Sequence, residues 1–170
     1  MYATPALLAD GPDGLNELSE LFQVVQALLR ATIDGADRSA WTAEEIAAAD
    51  EALDTIQQRC LEAQGEVDAR LVKRGYAVPM DPVQFPLLAT WARKIARYHL
   101  HPQRDRTTED SGRIERDYRD AIRALDQVAA GELSIGAGDP LVVDDVDPEA
   151  GAVRVQSEPR IFSRKTLGCL

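Results

Sequence analysis

A chain of 170 residues with a formal charge of −10 can bury about 70% of its unfolded surface in one core, needing neither disulfides nor metal to hold it. An acidic surface repels phosphate, which argues against a general nucleic-acid binder. Cys60 and Cys169 are the only cysteines, so no disulfide framework is indicated, and no apolar run approaches the roughly 20 residues that cross a bilayer.

The N-terminus has no basic stretch leading into an apolar one, so synthesis in the cytoplasm is expected. Charge is unevenly spread. Residues 1–69 carry 3 basic and 14 acidic side chains, residues 70–123 carry 12 and 7, and residues 124–170 carry 4 and 8. Such asymmetry lets unlike regions of neighbouring copies attract, although it also describes an ordinary solvated acidic surface.

Four helical segments are expected. The first runs from about Gly14 to Ala31, with Leu15, Leu18, Leu21, Phe22, Val25, Leu28 and Leu29 at spacings of three and four. Asp34-Gly35 follows as a break. The second begins at Thr42, where Thr42-Ala43-Glu44-Glu45 reads as a capping box. Its stripe is Ile46, Ala49, Leu53, Ile56, Cys60, Ala63, Val67 and Leu71. It ends at Arg74 before Gly75, with Gly65 as the place for a bend.

The third segment follows Asp81-Pro82, a cap and preset first turn, although Pro86 allows the regular helix to begin only there. It carries Phe85, Leu88, Trp91, Ala92, Ile95 and Tyr98, and His101-Pro102 ends it. The fourth spans about Asp110 to Ala130, with Ile114, Tyr118, Ala121, Ile122, Leu125 and Val128 apolar. These segments predict a mainly α fold, an antiparallel bundle of about four helices over residues 1–131. Residues 132–170 form an acidic linker with a C-terminal arm, either extended or holding a small hairpin from Leu141-Val142-Val143 and Ala152-Val153-Arg154-Val155.

Candidate chemistry is sparse. His99 and His101 form an H-x-H pair, but zinc needs three or four ligands, and residues two apart on a helix face different sides. Two partly exposed histidines at a helix end are the better reading. Asp139, Asp144, Asp145, Asp147 and Glu149 lack the register of a calcium loop. The glycines of 131–138 follow a helix and precede none, unlike a phosphate cradle. No serine sits on a strand–turn–helix elbow, and Cys60 falls on a core stripe. No catalytic residue, metal or cofactor is expected.

The basic residues Arg93, Lys94, Arg97, Arg104, Arg106, Arg113, Arg116, Arg119 and Arg123 all fall on the last two helical segments or between them. Arg116, Arg119 and Arg123 recur at spacings of three and four, forming one ridge. It reads equally as a salt-bridged solvent face or as a surface for an acidic neighbour. The tail Arg160-Ile161-Phe162-Ser163-Arg164-Lys165-Thr166-Leu167 returns to apolar and basic residues after the acidic stretch. Ordering such a tail costs chain entropy, so its composition points to docking.

Four pieces of the chain resemble the Mu-like prophage head–tail connector, or neck adaptor, family of tailed phages. They are Met1-Tyr2-Ala3-Thr4-Pro5; the long helix leading into Val72-Lys73-Arg74-Gly75-Tyr76-Ala77-Val78-Pro79; the run from Leu88 to Leu100 with Tyr118-Arg119-Asp120-Ala121 and Leu125 to Gly136; and Pro159 to Arg164 with Thr166-Leu167. Residues 8–40 match no part of the pattern. The resemblance implies a virion protein of the neck, made in the bacterial host cytoplasm and assembled as a homo-oligomeric ring of about twelve copies (closed by heterologous contacts). Its implied partners are the portal protein and a tail-proximal neck or terminator protein. DNA would pass through the lumen without specific binding, and no membrane is involved. On this reading Ile161, Phe162 and Leu167 anchor the arm on the portal, steered by Arg160, Arg164 and Lys165. Arg97, Arg113, Arg116, Arg119 and Arg123 serve the subunit interface. The alternative is a soluble helical binding or regulatory module whose tail binds another protein.

Overall fold

The structure, a computed structural model, describes residues 1–11, 13–101 and 109–136, with only the backbone described at 109–111. Six helices follow in order: α1 (Pro5–Ala9), α2 (Gly14–Phe22), α3 (Gln26–Asp34), α4 (Ala43–Arg74), α5 (Pro86–Leu100) and α6 (Glu109–Ala130). The fold is a mainly helical bundle, and no strand occurs among the described residues. The hairpin or arm expected beyond Gly136 lies outside them.

The 32-residue α4 is the spine, about 48 Å long at 1.5 Å per residue. Thr42 accepts a hydrogen bond from Glu45 N while the Glu45 carboxylate accepts one from Thr42 N, so the expected capping box is present. Gly75 ends the helix at φ 96°, in the left-handed region that glycine enters without cost. The helix is unbroken at Gly65. Ile56, Cys60, Ala63, Val67 and Leu71 are fully buried along it, as their spacing predicts.

Leu88, Ala92, Ile95 and Ala96 of α5, and Ala121, Leu125 and Val128 of α6, close the core against that stripe. His99 near the end of α5 pairs with Glu66 at 2.8 Å, two turns back from the end of α4, so α5 returns along α4. The α6 helix then runs beside α4 in the same direction. Asp126 meets Arg70 at 3.0 Å, and the Arg74 guanidinium packs over Gly131 one turn further on.

The first expected helix is two helices. Its chain breaks at Gln23, φ 55°, and the Ser19 hydroxyl donates to the Val24 carbonyl at 2.6 Å. The break turns Val24 into the core and leaves Val25, expected in the stripe, 57% exposed; Leu21 is exposed as well. Two consecutive β-branched residues resist continued helix, and the serine side chain offers the backbone an alternative partner. The short α1 had no expected counterpart. Thr4 caps it through Leu7 N at 3.2 Å, and Pro5 stands in its first turn. Asp81 caps no helix; it closes a turn by accepting from Val83 N, and α5 begins at Pro86.

The N-terminal segment is tied into this frame. Tyr2 is 1% exposed. Its hydroxyl donates to Asp68 Oδ1 of α4 at 2.7 Å and accepts from Met80 N, beside the cis Val78–Pro79 bond, at 2.8 Å. Burial is the main reason its pKa is pushed up to about 12, against the lowering effect of the Met80 amide; the Asp68 carboxylate adds to the rise. Two sequence pieces 78 positions apart therefore meet at one phenol.

Candidate functional site

The basic residues of α5 and α6 divide into three groups with different surroundings. The innermost lies where α2 crosses the end of α5. Glu17 is 12% exposed, and its carboxylate meets Arg97 Nη2 at 2.7 Å and Nε at 3.0 Å. His101 Nε2 stands 2.6 Å from the same carboxylate, with a side chain only 3% exposed. Arg97 and His101 are four residues apart, so the geometry of α5 aims both at one point. Burial alone would raise the Glu17 pKa; the close approach of His101 and Arg97 outweighs it and holds the group at about 2. His101 is thus buried, contrary to the expectation of a partly exposed ring. The reason is that α2 docks over the α5 C-terminus and supplies a carboxylate there.

The second group is a seam between α4, α5 and α6. Tyr98 and Tyr118 stack with ring centroids 4.0 Å apart and planes 12° from parallel. His99 meets Tyr118 edge-on at 6.2 Å and bonds Glu66 on the far side. Arg70 links Glu66, at 3.5 Å, to Asp126, at 3.0 Å. Burial first, and then the negative charge of Glu66, push the Tyr118 hydroxyl above its usual range. Lys94 bridges to Asp117 at 3.3 Å. His99 keeps the partial exposure expected of it, and His99 and His101 engage different carboxylates. The described residues hold no group of three or more His, Cys, Asp or Glu side chains placed to share a metal. Cys60 is fully buried, and burial pushes its thiol up to about 12, which makes it a poor nucleophile.

The third group is the outer ridge of α6. Arg113, Arg116, Arg119 and Arg123 are exposed. Their bonds are local: Arg116 Nε to the Gly112 carbonyl at 3.2 Å, Arg119 to Glu115 at 2.5 Å, and Arg123 to Asp120 at 3.6 Å with the arginine 72% exposed. Exposed pairs of this kind contribute little stability, so the ridge is not there to hold the fold. Arg97, assigned with these four from the sequence, is separated from them: it is turned inward onto Glu17. Arg104 and Arg106, and the tail residues Arg160, Ile161, Phe162, Arg164, Lys165 and Leu167, lie outside the described residues.

Two constellations escaped the sequence reading, Tyr2–Asp68–Met80 and Glu17–Arg97–His101. Each leaves a faint signal. Glu17 is a carboxylate set between Leu15 and Leu18 at the edge of an apolar stripe, and Arg97 and His101 share a helical face.

Residues 15–157 match the family described as Bacteriophage Mu, Gp36. The chain is also 32% identical over 139 residues to the Mu-like prophage FluMu protein gp36 of Haemophilus influenzae, covering 81% of this chain and 88% of that protein. The chain belongs to the Mu gp36 family. It is therefore a phage-type protein, as the four sequence pieces implied. The family match begins at Leu15, inside the stretch those pieces left out, and so takes in α2, α3 and the Glu17 site. It stops short of the Arg160–Leu167 tail. No solved structure matches the chain. No helix among the described residues is long and apolar enough to cross a membrane.

Proposed function

We propose that this Mu gp36 family protein is a structural component of the virion neck, a subunit of a head–tail connector ring that joins the portal to the tail. The observation that carries the reading is the separation of charge on the described surface. The first half of α4 presents Glu44, Glu45, Glu51 and Asp54 to solvent, while α6 presents Arg113, Arg116, Arg119 and Arg123. The α4 surface is acidic, whereas the α6 arginines stand among Glu115, Asp120 and Asp126, so the two surfaces differ in charge pattern. A ring is built from heterologous contacts, each pairing one surface with a different one on the next copy, and this molecule has such a pair. The ridge has no structural task that competes with this one. Its cations are exposed, and among the described residues Arg116, Arg119 and Arg123 bond to neighbours on their own helix.

In this reading the tail, with Ile161, Phe162 and Leu167 among Arg160, Arg164 and Lys165, supplies the contact to the portal from a ring of about twelve copies. Ring formation in the presence of portal is tested by charge reversal. The triple variant Arg116→Glu, Arg119→Glu, Arg123→Glu is expected to fold as the wild type and to form no ring, as seen by electron microscopy of the mixture. Rings that persist in the triple variant contradict the role assigned to the ridge.

A further inference from the structure

Beneath the outer ridge, the corner between α1 and α2 faces the last turns of α5 across a cavity of about 100 Å³. That space is well above the minimum for one water. Leu8 and Ile114 give it apolar walls, and Glu17, Arg93, Arg97 and His101 give it polar ones. Two glycines shape the α1–α2 side. A Cβ on Gly14 would stand 2.0 Å from the Leu8 carbonyl oxygen, and a Cβ on Gly11 would approach Arg93 Nη1 at 3.9 Å.

The charges in the wall do not cancel. Glu17 is answered by Arg97, and Asp117 at the rim is answered by Lys94. Arg93 remains, and it has neither an ion pair nor a hydrogen bond among the described residues. His101 adds a buried ring with unmet nitrogens. Its Nε2 lies 2.6 Å from a Glu17 carboxylate oxygen but outside hydrogen-bond geometry, and neither ring nitrogen has a hydrogen-bond partner among the described residues. In the imidazolium form both ring nitrogens are donors, and the one at Nδ1 lacks an acceptor. Buried polar atoms in native proteins are nearly always bonded to something.

We propose that this cavity is a small-oxyanion site, taking a carboxylate or phosphate group with the Arg93 guanidinium and His101 Nδ1 as its donors. A planar guanidinium offers two parallel N–H groups, and a buried imidazole offers a third from a fixed direction; both suit an oxyanion. The site is distinct from the α6 ridge and does not depend on the connector reading. Its occupant is either a free anion or the carboxylate of an acidic side chain from another chain.

The test uses the full-length protein with labelled histidine and arginine side chains, titrated with acetate and with inorganic phosphate at constant ionic strength. Saturable nuclear magnetic resonance shifts at the His101 ring and the Arg93 Nε–H are expected. Arg93→Gln should weaken binding by about tenfold, as loss of one charge-assisted contact implies; Arg93→Lys should restore part of it, and Arg123→Gln should change nothing. The Arg93→Gln melting temperature serves as the check on folding. A peptide spanning residues 138–149 distinguishes the sources: displacement of acetate assigns the site to a protein carboxylate, and saturable acetate binding that ignores the peptide assigns it to a free anion. Either result upholds the site. Shifts that grow linearly without saturation, or binding unchanged in Arg93→Gln, overturn it.

Discussion

Tyr2 and Glu17 each join parts of the chain far apart in sequence, and each does so through a group whose charge state is set by burial and neighbours. The Tyr2 hydroxyl holds the chain start to α4 and to the loop after it. Tyr2→Phe keeps the ring and strands the Met80 amide and the Asp68 carboxylate, so it should lower stability by about 1–3 kcal/mol, read from urea unfolding. An unchanged midpoint would mean that water replaces both bonds. Glu17 makes a prediction about pH. Its folded-state pKa, about 2, lies below its ordinary value of 4.5. The stability it contributes is therefore fully present above pH 4.5 and is lost as pH falls toward 2. The difference corresponds to something on the order of 3 kcal/mol. Glu17→Gln should be less stable than wild type at neutral pH, and the gap should narrow as pH drops from 5 to 2.5. A gap independent of pH in that range would show that the Arg97 and His101 contacts do not depress the carboxyl. Neither residue's partner was legible in the sequence. Arg97 lies 80 positions from Glu17, and only the docking of α2 onto α5 decides that they meet.

At the scale of the elements, legibility followed the length and regularity of the apolar stripe. The α4, α5 and α6 stripes persist for several turns and have clear stops at Gly75, His101-Pro102 and Gly131, so their position and buried faces could be read directly. The α2–α3 segment kept a helical spacing across its break, because Leu18, Leu28 and Leu29 are all buried on either side of it. Its interruption goes with two Ser19–Val24 hydrogen bonds and a pair of β-branched residues, which no periodicity reveals. Two glycines with opposite roles test this account of the helices. Gly65 sits inside α4 with nothing within 4 Å of an added Cβ, so Gly65→Ala should stabilise the protein by about 0.5–1 kcal/mol. Gly14 opens α2 against the Leu8 carbonyl, and Gly14→Ala should cost about 1–3 kcal/mol by forcing α1 and α2 apart. Thermal unfolding of the two variants should move in opposite directions. A shift of the same sign in both would undo the assignment of Gly14 as a packing contact.

For the whole molecule, the described residues form a helical bundle that displays charged side chains around one buried core. Its one cysteine in the described core is a poor nucleophile, its histidines lie against separate carboxylates, and the exposed arginines among the described residues all project from α6. The ridge was legible because spacings of three and four place side chains on one helical face whatever the tertiary fold. Which cations remain available was not, since the inward turn of Arg97 is a property of the assembled bundle. The proposal that this phage protein closes a ring through its basic ridge and docks on the portal through its tail has one decisive test. The mass of the purified protein in solution should be measured alone and with its cognate portal, for the full chain and for a chain lacking residues 158–170. A large portal-bound ring is expected with the full chain, and its loss on truncation. A small species that ignores the portal in both forms would contradict it.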